Sequence, residues 1–586
     1  MKSLYRWIYS EPDPGITAHL SNVLDLPMPL SKSLVNRGIT DQQHALSFFN
    51  PTIDDLHSPD SFRDIEPAVD RVLKAVKNNE RILIAGDYDV DGITGTALLV
   101  SFLESQGGHV RYYIPERDTE GYGLSEKVIR KAGKAGYDLI ITVDTGISFL
   151  EEAALINDMG IDLIITDHHE PHDEIPDAVA VLNPKRADSQ YPYRELAGVG
   201  VAFKLVTAVG ERIGISLEKL LERYGEFVAL GTISDMVPLL DENRFFANYG
   251  LAKMSKSRNI GLYSLIEVSN IRDGETLDTH HISFGLAPRI NAAGRVWSAR
   301  AGVELLLSKS PERARLIARK LDAKNRRRML QEAKIMRGAE KALSETGMDD
   351  ETRSVVLFDE DWQIGILGVV ASKIMEVHHR PVILTTVSRN PDEMKKKDPV
   401  KGRILQGSAR SVKGFDLYQA LQECSDILIS YGGHALAAGL KIYEADLPEL
   451  SSRLNSIILE KTGEMLDKPE LRIDDDISLA GASQELVRQS RRMNPFGVGN
   501  PQPLFSTGDV TVLQCRGVGV DGKHLQVKVG QASRVIDCIG FGMCNFWSPE
   551  EIAGEMIDIA YYLQEDNYGG RTRVKAHLKD MRVSKP

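Results

Sequence analysis

Two hydrophobic patterns alternate along residues 62–268. Short unbroken apolar runs, Ile82-Leu83-Ile84-Ala85, Leu139-Ile140-Ile141 and Leu163-Ile164-Ile165, are separated by stretches with helical spacing such as 94–106 and 148–159. Runs of this kind read as strands buried on both faces, and strands alternating with helices require right-handed crossovers and a largely parallel sheet. Further on, Ser310-Pro311-Glu312 sets an N-cap and a first-turn proline ahead of Ile317, Leu321, Met329, Met336 and Leu343, which predicts one helix up to Gly347. At ~1.5 Å per residue it spans about 50 Å, enough to join two domains. A second α/β unit is expected from Ser354, with strands over 355–358 and 381–384 flanking a helix over 368–377. After Glu470 the pattern shortens to alternating strands, as in 509–513 and 558–563, with turns at Asp521-Gly522 and Tyr568-Gly569-Gly570. That spacing suits a small all-β barrel. Residues 1–57 carry Pro12, Pro14, Pro27 and Pro29 with little periodicity and read as an appendage wrapped on the first domain.

Carboxylates gather where the first strands give out. Gly86-Asp87-Tyr88-Asp89-Val90-Asp91-Gly92 follows one run, Val143-Asp144-Thr145-Gly146 the next and Asp167-His168-His169 the third, while Ser234-Asp235 is read as a further strand-end cluster. Open α/β sheets bind ligands at the carboxyl ends of their strands, so these groups are expected in one crevice. Like charges a few ångströms apart cannot all stay ionised, and divalent cations are the simplest remedy. Oxygen ligands suit Mg²⁺ or Mn²⁺, and a histidine tilts the choice toward Mn²⁺. Two such ions sharing a bridging carboxylate are suited to phosphoester hydrolysis. Simpler readings exist for each piece. Asp-x-Asp-x-Asp-Gly opens a calcium loop, but the twelfth position counted from Asp87 is Leu98 where that loop needs Glu. Val-Asp-Thr-Gly alone is a turn and Asp-His-His alone a capped surface pair; the ordered set carries the argument.

Composition narrows the frame. A chain of 586 residues exceeds one core and suggests about four units. No apolar run approaches the ~18 residues of a membrane span and the start has no apolar signal core, so a soluble, cytoplasmic protein is expected. Cys424, Cys515, Cys538 and Cys544 form no Cys-x-x-Cys pair and are read as buried thiols. The formal charge of −12 argues against an indiscriminate nucleic-acid coat. A DNA path must then be locally basic, with Lys324-Asn325-Arg326-Arg327-Arg328 and the run from Lys395-Lys396-Lys397 to Lys401 and Arg403 as candidates, against the plainer reading of solvated surface.

The series from Asp87 to Asp235 looks like motifs I to IV of the DHH phosphoesterases. Pro288-Arg289-Ile290-Asn291-Ala292-Ala293-Gly294-Arg295, Gly407-Ser408-Ala409-Arg410-Ser411, Gly432-Gly433-His434 and Asn494-Pro495-Phe496-Gly497-Val498-Gly499-Asn500-Pro501 extend the resemblance, from about Leu30 to the C-terminus, to the family's bacterial single-strand-specific DNA exonucleases. The resemblance implies an α/β fold: a parallel-sheet DHH domain (58–300), a long connecting helix (301–348), a smaller α/β DHH-associated domain (349–468) and an all-β OB-like domain (469–586), after an N-terminal appendage (1–57). It implies two divalent cations, Mn²⁺ or Mg²⁺, on Asp89, Asp91, Asp144, His168 and Asp235, with Asp144 the bridge and Asp87 a ligand or its support. His169 is then expected beside the scissile phosphate with Asp167 orienting the histidines. Arg289, Asn291 and Arg295 shape the substrate path, Arg117, Ser408 and Arg410 hold the 5′-phosphate, and Gly432, Gly433 and His434 meet the backbone. The implied activity is 5′→3′ hydrolysis of single-stranded DNA to mononucleotides in repair and recombination, with a single-stranded-DNA-binding protein and a helicase as candidate partners. The rivals are a DHH phosphodiesterase acting on oligoribonucleotides or cyclic dinucleotides and a non-catalytic single-strand-binding replication factor. Chain length, the Ser-Ala-Arg segment and the barrel favour a long polymer, and the intact acidic set favours catalysis.

Overall fold

The apolar runs of the first third become neighbouring strands. Numbering strands along the chain, β1 is Arg6–Tyr9, β2 Arg81–Gly86, β3 His109–Tyr113, β4 Leu139–Val143, β5 Asp162–Thr166 and β6 Ala180–Leu182. Strands β2 to β6 form a parallel sheet in the order β3-β2-β4-β5-β6. Its register pairs Gly86 with Val143, Val143 with Thr166 and Thr166 with Leu182, so these four strands end level. Ile82, Ile84, Ile141 and Ile164 are fully buried on one side, and Ile140, Leu163 and Ile165 pack with Ile129, Ala153 and Ile156 on the other. Burying each such side chain is worth about 1.5–3 kcal/mol, which is why the runs are apolar throughout. The structure is a computed structural model describing residues 3–116, 123–272, 275–296, 298–346, 352–390, 393, 398–463, 468–519, 521–568 and 571–584.

Two expectations about the motifs change. The helix after β2 spans Val90–Ser105 rather than starting at Thr94, because Asp89 caps it, accepting a 3.0 Å bond from Gly92 N–H. Asp235 does not follow a strand. It closes the helix Leu217–Ser234, whose Leu220, Leu221, Tyr224, Phe227, Val228 and Ile233 are buried at a spacing of three to four residues. That spacing is helical, whereas a short apolar run ahead of a carboxylate suits a strand equally well.

The chain divides into two compact units: Met1–Gly294, Ala299–Arg319 and Glu470–Pro586 in one, Arg295–Ser298 and Lys320–Pro469 in the other. The helix Pro311–Thr346 runs from one into the other, with Ser310 Oγ accepting from Arg313 N–H at its start. In the second unit β7 (Val355–Phe358), β8 (Val382–Val387), β9 (Ile404–Arg410), β10 (Leu428–His434) and β11 (Ala437–Tyr443) form a mixed sheet in the order β10-β11-β9-β8-β7. The helix Ile364–His378 covers part of one face through Ile366, Leu367, Val370 and Ile374.

In the first unit β12 (Glu470–Ile473) and β13 (Asp475–Asp476) lead into β14 (Phe505–Val518), β15 (His524–Gln531), β16 (Arg534–Gly540), β17 (Met556–Tyr568) and β18 (Arg571–Val583). Strand β17 pairs back onto β14, closing the ring β14-β15-β16-β18-β17. The N-terminal segment belongs to this barrel rather than to the sheet domain alone. Leu20, Leu30, Leu34, Ile39 and Phe48 share one core with Val510, Val527 and Ile557, and β1 pairs with β12. Buried Asp580 of β18 ties it down, accepting from Leu4 N–H (3.1 Å), Tyr5 N–H (3.2 Å) and Trp7 Nε1 (2.8 Å).

The basic runs are largely paired. Arg326 meets Asp322 and Arg328 meets Glu332 on the long helix, Lys401 meets Asp446, and Arg403 sits between Glu360 and Glu444; Lys395 to Lys397 lie outside the described residues. Cys424 and Cys538 are buried, whereas Cys515 and Cys544 are half-buried, and all four are free thiols. Among the described residues no helix is long and apolar enough to cross a membrane.

Candidate metal centre

Because the strands end level, the residues that follow them leave side by side. The ladder runs one step past the sheet: Asp87 N–H donates to Val143 O, Asp144 N–H to Thr166 O and Asp167 N–H to Leu182 O, at 3.2, 2.9 and 3.0 Å. Asp87, Asp89 and Asp144 bring one carboxylate oxygen each to within 4.8 Å of one another, as do the ligand atoms of Asp91, His168 and Asp235 and those of Asp144, His168 and His169. His168 Nε2 links the sets, 3.1 Å from Asp144 Oδ1, 3.5 Å from Asp235 Oδ2 and 4.0 Å from Asp91 Oδ2.

The electrostatics of this cluster without cations are those of crowded acids. Burial, and then the charge of Asp89, pushes Asp91 up to about 7. Burial followed by Asp91 and Asp89 pushes Asp235 up to about 9, and Asp144 is raised by burial and by the same neighbours. His168 is driven down to about 3 by burial and by His169, which keeps its imidazole neutral and its lone pair available. Asp167 behaves differently. Burial opposes its ionisation, but bonds from His169 Nδ1 (2.8 Å) and Ile147 N–H (2.8 Å) hold its carboxylate below the usual range. Burial likewise opposes charge on His169, and Asp167 more than offsets it, so that imidazole is raised.

Some groups in this site carry no motif of their own. Gly198 N–H and Val199 N–H, at the start of the helix Gly198–Arg212, donate to the two oxygens of Asp91 at 2.6 and 2.9 Å. A helix N-terminus is suited to hold a buried carboxylate. Asn183 Nδ2, just past β6, donates to His169 O at 2.9 Å. The signal for Asn183 was present as another polar residue at a strand end, in Ala180-Val181-Leu182-Asn183. Beside Asp235 opens a cavity of about 300 Å³ lined in part by Met236, Thr279, Phe284, Phe496 and Gln502. Met236 and Phe284, on the wall of this cavity, are 69% and 72% exposed, an exposed apolar pair of side chains.

Of the remaining candidates, Arg289 and Asn291 lie on the helix Ala287–Val296, where Arg289 donates to Gly285 O at 2.7 Å. The side chain of Arg295 and all of Arg117 lie outside the described residues. In the second unit the register aligns Ser408 with Gly439 and Gly432, and Arg410 with Ala437 and His434. Residues opposite one another, and those two apart, share a face, so Ser408, Arg410, Gly432 and His434 line one side of this sheet. Arg410 Nη1 donates to Ser408 Oγ at 3.2 Å. Gly433, between them, faces the other side by the same alternation.

The chain matches the DHH family, N-terminal domain, over residues 81–232, the DHHA1 domain over 351–460 and the RecJ OB domain over 473–580. It is 34% identical over its whole length to the single-stranded-DNA-specific exonuclease RecJ of Bacillus subtilis (strain 168), covering 72% of that protein. It belongs to the RecJ family. RecJ of Thermus thermophilus in complex with Mn²⁺ superposes with a TM-score of 0.80 at 27% identity, covering 99% of this chain and 80% of the other. The Mg²⁺ complex of the same protein gives 0.74 at 25% identity, covering 99% and 79%. The donor set of this chain fits either cation: several carboxylates, a neutral imidazole, and Asp235 Oδ2, a buried oxygen without a hydrogen-bond partner among the described residues.

Proposed function

We propose that the chain is a metal-dependent exonuclease that degrades single-stranded DNA from its 5′ end to mononucleotides in DNA repair and recombination. The observation that carries the reading is the linked pair of ligand sets, Asp87, Asp89 and Asp144 on one side and Asp91, His168 and Asp235 on the other, joined by the 3.1 Å contact between Asp144 and His168. When bound, two divalent cations supply an activated water and neutralise charge on the phosphoryl oxygens. Asp89, Asp144, His168 and Asp235 hold them, Asp144 serving both sets, with Asp87 as a ligand or its support. Asp91 contributes through the lone pairs that Gly198 and Val199 leave on its oxygens. With Nδ1 held by Asp167, His169 turns Nε2 to the substrate and stabilises charge developing on the phosphate.

The cavity beside Asp235 is large enough for a nucleobase, and its aromatic and thioether walls suit one. Arg289, Asn291 and Arg295 shape the strand's path. Ser408 and Arg410 hold the 5′-terminal phosphate, the guanidinium offering two parallel donors, while Gly432 and His434, on the same face of the sheet, meet the backbone. The barrel binds the strand further along. The substrate implies a cytoplasmic site of action, and a single-stranded-DNA-binding protein and a helicase are the partner classes that would supply it. Digestion of end-labelled single-stranded, duplex and RNA oligonucleotides with Mn²⁺, Mg²⁺ or EDTA tests the reading. Mononucleotides released from the 5′ end of single-stranded DNA alone, and only with metal, are expected. Equal release from the 3′ end, or undiminished activity in EDTA, would contradict it.

A further inference from the structure

The segment 494–501 is fastened more heavily than a connecting loop needs to be. Asn500, fully buried, donates from Nδ2 to Met493 O (2.8 Å) and Pro495 O (2.9 Å), and its Oδ1 accepts from Arg37 Nε (2.9 Å). Arg244, 1% exposed, donates to Asn494 O at 2.7 Å and to Pro495 O at 3.4 Å while its guanidinium lies over the Phe48 ring. Thr279 Oγ1 donates to Phe496 O at 2.7 Å. Buried polar groups satisfied this fully rigidify what they hold.

What the loop touches is the turn that follows Asp235. Leu239 N–H donates to Val498 O at 2.8 Å. A Cβ on Gly497 would stand 2.6 Å from Leu239 Cδ1, and one on Gly499 would stand 2.9 Å from Pro238 Cβ. Gly499 has φ +72°, a conformation that side chains disfavour, so this position needs glycine for contact with Pro238, whereas at Gly497 the end of the Leu239 side chain would have to shift. From the other side Tyr193 OH and Asn243 Nδ2 donate to Pro238 O at 3.1 and 3.0 Å. The turn itself is strained, with Met236 at φ +62°. A non-glycine residue in that region persists where its surroundings over-determine it.

We propose that the loop 494–501 is a positioning element for Asp235, clamping Pro238 and Leu239 so that the turn holds the Asp235 carboxylate beside His168. The inference rests on the reading of Asp235 as a metal ligand. It predicts that disturbing the loop weakens cation binding before it weakens the fold, as supports of metal ligands do.

The test is calorimetric titration of the metal-stripped full-length chain with Mn²⁺, together with melting in EDTA, for Gly499→Ala, Asp235→Asn and Val527→Ala, the last a buried barrel residue remote in sequence from the loop. Gly499→Ala is expected to weaken Mn²⁺ binding about tenfold. It should melt no lower in EDTA than Val527→Ala and recover its turnover at saturating Mn²⁺. Val527→Ala should bind Mn²⁺ as the wild type does. If Asp235→Asn weakens Mn²⁺ binding and Gly499→Ala does not, or if Val527→Ala weakens it equally, the positioning role is wrong while the ligand reading stands. If Asp235→Asn has no effect, the ligand reading fails and takes the proposal with it. Should Gly499→Ala not fold, Gly497→Ala carries the same test, because its Cβ meets the movable end of the Leu239 side chain.

Discussion

The first unit buries two clusters of ionisable groups, and one of them is built around an ammonium while the other is built of acids that repel one another. In the paired cluster, Lys204 and Glu242, 2% and 0% exposed, form an ion pair that further hydrogen bonds support. Lys204 Nζ also donates to His57 O (2.6 Å), His57 N–H donates to Glu242 Oε1 (2.9 Å), and Tyr191 OH donates to Glu242 Oε2. Burial pulls the Lys204 ammonium down and Glu242 works against it. In the crowded cluster, Asp91, Asp144 and Asp235 are each raised by burial and then by neighbouring carboxylates, around a neutral His168. The trio His57, Asp241 and Glu242 also has the spacing to hold a metal, yet an ammonium already fills that role. Proximity of acids is therefore a poor guide to a metal site; acids that drive one another's pKa upward are a better one.

The sharpest way to break this contrast is to remove one carboxylate from the crowded cluster. Asp144→Asn should lower kcat by on the order of 10³-fold or more while leaving the melting temperature in EDTA intact or raised, since it relieves repulsion among buried acids. The opposite pattern is expected from Lys204→Met. Glu242 would be stranded without its partner, destabilising the fold by about 3–5 kcal/mol in denaturant titration, with Mn²⁺ affinity unchanged. A Lys204→Met variant that lost Mn²⁺ binding but not stability would reverse the assignment.

His169→Ala should reduce kcat about 10²-fold with little change in KM, and an effect confined to KM would make His169 a plain binding residue. Arg410→Lys keeps the charge but not the parallel donors, so about a tenfold loss is expected on 5′-phosphorylated strands and less on 5′-hydroxyl strands. Equal losses on both would assign Arg410 to general backbone binding.

The smallest effect belongs to the rim of the paired cluster. A hydrogen bond with Asp241 Oδ1, 3.0 Å away, raises the His57 pKa in the folded state against partial burial. Its stabilisation is then fully present below the unfolded value of about 6.5 and is lost as pH rises through the higher folded value. The melting-temperature gap between wild type and His57→Gln should therefore be widest below the unfolded value of about 6.5 and close as pH rises through the raised folded value. A gap that widened with pH would mean the histidine is held neutral.

The sequence announced one of these clusters and hid the other, for a physical reason. Asp87, Asp144 and Asp167 each follow an apolar strand, so strand ends and carboxylates are adjacent in the chain and the parallel sheet brings them together. Asp235 is legible through its motif although the element before it is a helix and not the expected strand, because Leu220 to Ile233 repeats at helical spacing. Lys204 and Glu242 lie on separate helices, and nothing local marks either as buried. The same limit hid the backbone donors of Asp91, the docking of residues 16–49 into the barrel core and the clamp of 494–501 on Leu239. Each is a contact between segments far apart in the chain, made by groups that carry no periodic signal.

The crowded cluster, and not the paired one, is expected to bind two cations. Calorimetric titration of the metal-stripped full-length chain with Mn²⁺ tests it most directly. Wild type and Glu242→Gln are expected to bind two equivalents each, whereas Asp144→Asn, having lost a carboxylate of the first ligand set that also lies 3.1 Å from His168 of the second, should bind fewer and more weakly. Two equivalents retained by Asp144→Asn, or a site lost in Glu242→Gln, would show that the cations bind elsewhere.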